Sequence, residues 1–80
     1  MKKEEIKFIL LNMINEVKYE KDEEKIKYLD DSLLLRNDLN LDSFDLAILT
    51  AKIEDKYNID VFEDGVVQTI GEIVNKLEKQ

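Results

Sequence analysis

Asp38-Leu39-Asn40-Leu41-Asp42-Ser43-Phe44-Asp45-Leu46 joins a leucine-rich stretch to an amphipathic one, and its reading sets the fold. Just beyond it Leu46, Leu49, Ile53 and Tyr57 recur at i, i+3, i+7 and i+11, the spacing of one helical face, which predicts a helix over Ser43 to Tyr57. Asp42 is a good N-cap for it, and Asp45 puts a second carboxylate in the positively polarised first turn. Ser43 then takes the first helical position, where its hydroxyl need not cap anything. Asn58 tolerates the left-handed backbone that ends a helix.

Working outward, Ile6, Ile9, Leu10, Met13, Ile14 and Val17 share one face and predict a first helix from about Lys3 to Lys18. Tyr19 to Asp31 is mostly charged and reads as the end of that helix followed by a solvated connection. From Tyr28 to Leu41 the leucines Leu29, Leu33, Leu34, Leu35, Leu39 and Leu41 predict a long ordered loop tacked onto the core. Thr69-Ile70-Gly71-Glu72 has capping-box spacing, and the last helix follows with Ile70, Ile73, Val74 and Leu77 inward. Val61, Phe62, Val66 and Val67 predict a short helix within Val61 to Gln68, which Gly65 weakens by roughly 1 kcal/mol. With no proline and only two glycines, the chain reads as all-α: three main helices plus one short one.

Eighty residues make a single domain, 1–80, which buries only about 60% of its unfolded surface and leaves little room for a deep catalytic cleft. The 19 acids and 12 bases give a net charge of -7, which repels nucleic acid and anionic lipid and attracts basic protein surfaces. That charge favours a monomer. The absence of cysteine and histidine removes thiolate nucleophiles, imidazole bases and most zinc sites, so a reactive group would have to be supplied from outside. No apolar run approaches the length of a membrane span and the N-terminus lacks a signal-type core, which places the chain in the cytoplasm by default.

Three features of the central stretch bear on function. Phe44 and Ile48 fall roughly opposite the core stripe of the second helix, where with Asp42, Asp45 and Asp55 around them they form a candidate docking patch. Asp38, Asn40 and Asp42 match the first three ligand positions of a calcium loop, but Ser43 stands where glycine is required and Leu49 where the bidentate glutamate belongs, so no metal site is expected. Asp42 and Asp45 also lie one turn apart, as a pair of catalytic carboxylates could. Nothing in the sequence encloses a substrate around them, and the chain is not read as an enzyme.

The run Asp31-Ser32-Leu33-Leu34-Leu35-Arg36-Asn37-Asp38-Leu39-Asn40-Leu41-Asp42-Ser43-Phe44-Asp45 resembles the signature of the acyl carrier protein family. The acidic helix that follows, with Glu54, Asp55, Tyr57, Ile59 and Asp60, is similar to that family's second helix, and Thr69-Ile70 to its last helix start. The resemblance implies a small four-helix bundle of the acyl-carrier type and 4'-phosphopantetheine attached to Ser43 from coenzyme A by a phosphopantetheinyl transferase. It further implies that Asp42 helps present Ser43, that acyl groups ride the arm as thioesters, and that loading ligases and biosynthetic enzymes dock on Phe44, Asp45, Ile48 and Asp55. On the same resemblance the arm folds back between the second and third helices against Thr50, Ile53 and Val61.

Asn40 stands where the family usually has glycine, Phe44 where leucine is commoner, and Ile48 where fatty-acid carriers often have an acid. These departures point as well to a carrier in a secondary pathway, or to an aminoacyl carrier of D-alanyl or peptidyl type. An unmodified acidic helical adaptor binding through Phe44 and Ile48 is the alternative outside the family. Ser32, in a literal Asp-Ser-Leu triplet, has no helix of matching period directly after it and reads as a local turn or cap.

Overall fold

Apolar residues at three- and four-residue steps wind Lys3–Glu20 into α1, Ser43–Tyr57 into α2 and Ile70–Glu78 into α3. The computed structural model describes residues 2–63, 65 and 67–79. Leu10 and Ile14 of α1, Leu49 and Ile53 of α2 and Ile73 and Val74 of α3 meet in one core, each no more than 1% exposed. Among the described residues no helix is long and apolar enough to cross a membrane.

α1 runs two residues past the predicted Lys18, and the chain leaves it through Asp22 in a left-handed conformation, φ 58°. The next stretch is less free than its charge suggests. Asn15 grips Ile26 on both sides: its Oδ1 accepts from the Ile26 N–H at 2.7 Å and its Nδ2 donates to the Ile26 carbonyl at 2.9 Å. Lys7 pairs with Asp31 at 2.7 Å, so the connection returns along α1 instead of looping into solvent.

The leucine loop joins the core as expected, with Leu35, Leu39 and Leu41 no more than 2% exposed. Its backbone is tied to the approach to α3: the Leu35 N–H donates to the Gln68 carbonyl at 2.9 Å and the Ile70 N–H to the Leu33 carbonyl at 3.0 Å, around an isolated antiparallel bridge between Leu34 and Thr69. Among the described residues no strand extends from that bridge. Gly71 continues the join, donating to the Asp31 carbonyl at 2.9 Å, and a Cβ there would lie 3.1 Å from that oxygen. Close backbone approach is thus what position 71 requires.

Two expectations are corrected. The described part of Val61 to Gln68 is not a short helix: the Glu63 N–H donates to Asp60 and the Gly65 N–H to Phe62, two successive turns, and Gly65 adopts φ 132°, which no helix accommodates. The bundle therefore has three helices among the described residues, and Val66 lies outside them. The capping box of α3 is half formed. Thr69 Oγ1 accepts from the Glu72 N–H at 3.3 Å, but the Glu72 carboxylate meets the Thr69 hydroxyl and not its backbone N–H.

If the loop is part of the core, Leu39→Ala lowers stability by about 2–4 kcal/mol in urea unfolding, whereas a loss below about 1 kcal/mol would make it a surface appendage.

Candidate functional site

The N-terminus of α2 begins with a complete capping box. Asp42 Oδ1 accepts from the Asp45 N–H at 2.8 Å, and Asp45 Oδ2 accepts from the Asp42 N–H at 3.1 Å. Ser43 sits between them at the first helical position, exposed, with the capping already done by its neighbours.

Lys21, at the C-cap of α1, reaches this box. Its ammonium lies 2.6 Å from Asp45 Oδ2 and 3.9 Å from Asp42 Oδ2, with Glu23 at 3.4 Å on its other side. Burial pushes the Asp45 carboxyl up, but the Lys21 ammonium and the Asp42 N–H together outweigh it and hold the group below its ordinary value. Lys21 is raised, first by its bond to Asp45, against the desolvation that lowers it.

This arrangement corrects the placement of Asp45. It was expected among the acidic contacts of a docking surface, yet it is 2% exposed because both its backbone and its carboxylate are engaged in holding the helix start. Phe44, at 75% exposure, does face water. Phe44, Ile48, Ala51 and Asp55 fall at i, i+4, i+7 and i+11 on the side away from the core; Ile48 is half-buried and the other three are exposed.

A groove of about 700 Å³ opens beside Ser43. Leu46, Ala47 and Thr50 of α2 form one wall, Leu34 to Asn37 of the loop another, and Phe62 and Val67 lie on the third side. Thr50 donates its hydroxyl to the Leu46 carbonyl at 2.7 Å, which leaves this wall mainly apolar. Of the three residues expected to meet an arm, only Thr50 lines the groove. Ile53 and Val61 are fully buried in the core, and α3 contributes none of the lining: the space lies between α2 and the loop, not between two helices. Leu49, which lies on the core stripe, is likewise buried.

Ser32 is exposed in a turn in which its N–H and hydroxyl both lie 3.1 Å from Asp30 Oδ1, and it does not line the groove. Two residues not singled out above matter here. Lys21 acts across 24 positions, with no local pattern to announce it. Arg36, the chain's single arginine, lines the groove, and its uniqueness was the available signal.

Comparison with known proteins finds no family model, no curated protein and no solved structure that matches this chain.

Because Asp42 and not Ser43 caps α2, Asp42→Ala costs about 1 kcal/mol in denaturant unfolding, while Ser43→Ala stays within about 0.5 kcal/mol of the parent. Equal losses would assign the cap to both. A second test uses pH. The depressed carboxyl of Asp45 contributes stability that is present above the unfolded value of about 3.9 and is lost as pH falls through the lower folded value. Raised Lys21 gives the converse: its share is present below its ordinary value of about 10.4 and disappears as pH rises through the higher folded value. Asp45→Asn therefore flattens the acid limb of the stability profile, measured by unfolding between about pH 2 and 6; a limb parallel to the parent's would contradict this.

Proposed function

We propose that the chain is a phosphopantetheine-dependent carrier of the acyl-carrier type, with Ser43 as the attachment site. The observation that carries this reading is the exposed Ser43 hydroxyl at the first position of a fixed helix, relieved of capping by Asp42 and opening onto an apolar groove. Had Ser43 been the N-cap, its hydroxyl would be engaged by the helix's own amides. A 4'-phosphopantetheine arm would supply the thiol that a chain without cysteine lacks and hold an acyl group on it as a thioester.

The residues fit such a group. Attachment forms a bond from Ser43 Oγ to the pantetheine-side phosphorus of coenzyme A, breaks the pyrophosphate link, releases adenosine bisphosphate and passes the serine proton to a base on the transferase. Asp42 and Asp45, braced by Lys21, keep Ser43 in one position for that encounter. Phe44, Ile48 and Asp55 give transferase, ligase and downstream enzymes an apolar surface with a negative end, suited to basic partners that dock and leave. Walls of Leu34, Leu46, Ala47, Phe62 and Val67 favour an acyl over an aminoacyl cargo. The 75% exposure of Phe44 equally suits an adaptor that binds partners without modification, a reading in which Ser43→Ala leaves partner binding intact.

Incubation with coenzyme A, magnesium and a broad-specificity phosphopantetheinyl transferase should add one phosphopantetheine by intact-protein mass. Ser32→Ala keeps the gain and Ser43→Ala abolishes it. No gain with several transferases leaves the adaptor.

A further inference from the structure

The groove beside Ser43 is apolar but not uniformly so: Arg36 is the one cationic residue in its lining. Its backbone is set on a rigid turn. The Asp38 and Leu39 N–H groups both donate to the Leu34 carbonyl at 3.0 Å, and Asp38 Oδ2 accepts from the Leu34 N–H at 2.8 Å. Arg36 is exposed, and no ion pair engages it among the described residues, although the chain has acids in excess and Asp60 lines the same groove. Lys21, which reaches the start of α2, is held by Asp45.

A phosphodiester on Ser43 Oγ would add a further negative charge to a chain already at -7, one residue from the Asp42 carboxylate. The N-terminus of α2 offsets part of that charge, and a guanidinium with no ion pair among the described residues, on the facing wall of the groove, offers the rest through a charge-assisted, bidentate contact. We propose that Arg36 pairs with the phosphodiester of an arm carried on Ser43 and thereby holds the arm along the groove. This rests on the carrier reading and adds to it a residue that decides where the arm lies. Without Arg36 the groove still offers apolar contact, but nothing anchors the charged base of the arm, and the population shifts toward solvent.

The test exploits the absence of cysteine: in the loaded protein the arm carries the sole thiol. Wild type, Arg36→Gln and Arg36→Lys are first converted to the phosphopantetheine form and checked by intact mass. If Ser43 takes no group, the carrier reading and this inference fall together; if it does, the inference stands or falls separately. The thiol is then titrated with an aromatic disulfide reagent, with rates compared at equal thiolate fraction from the pH profile, and the phosphodiester is followed by phosphorus NMR. In low salt Arg36→Gln should react about two- to fivefold faster than wild type, with Arg36→Lys between. Its phosphorus signal should also move, and the rate difference should collapse at about 1 M salt, where the screening length is near 3 Å. Equal rates and unmoved phosphorus signals in the three loaded proteins would overturn the proposal. So would a rate difference indifferent to salt. Because Arg36 is exposed, unfolding midpoints of the unloaded variants should coincide, and a shifted midpoint with equal rates again counts against it.

Discussion

Two aspartates hydrogen-bond across the first turn of α2, and a lysine from the end of α1 closes on the buried one at 2.6 Å. The rest of the arrangement depends on this brace. A carboxylate that is 2% exposed survives there only because it is paired and hydrogen-bonded, so Lys21 cannot leave without stranding a charge. In consequence the end of one helix dictates the start of the next, and Ser43, lying between the two aspartates, inherits their fixed geometry. Its own hydroxyl is left over.

α2 divides its circumference among three tasks. Asp45, Leu49 and Ile53 face inward and are buried, tying the helix to α1 and the core. Ser43, Leu46, Ala47 and Thr50, at i, i+3, i+4 and i+7, form one wall of the groove. Phe44, Ala51 and Asp55 remain in water. A single short helix therefore contributes to the core, to one wall of the groove and to an exposed face at once. The opposite wall comes from the leucine loop, which holds its shape through Leu35, Leu39 and Leu41 inside and through its pairing with the approach to α3.

Local signals carried much of this. The apolar steps of α2, with Asp42 before and Asn58 after, give its limits as Ser43–Tyr57, and Asn58 does take the left-handed conformation, φ 60°. Asn40, which stands where a glycine would be unremarkable, is left-handed too at φ 57°, and of the loop leucines Leu35, Leu39 and Leu41 are buried while Leu29, Leu33 and Leu34 are half-buried. Other features were out of reach for a physical reason. The exposure of Asp45 turns on a lysine 24 residues away, and a capping pattern reads the same whether its second carboxylate faces water or a buried ammonium. Helical spacing places Ile53 on the core stripe without saying how deep that stripe lies, so it could not separate a core residue from a groove wall. Between Val61 and Gln68, apolar content suggested a helix, but a side chain of Asp60 that accepts from the Phe62 N–H at 3.0 Å and the positive φ of Gly65 favour turns.

The proposed role is chemical: Ser43 would carry a covalent arm. It is tested most directly by isolating the protein from the cells that make it and mapping its modification by fragment mass spectrometry, without adding any transferase. The account predicts a phosphopantetheine on the peptide that carries Ser43 and bare serine at position 32. A bare Ser43 throughout the native population, or the group on Ser32, would contradict it.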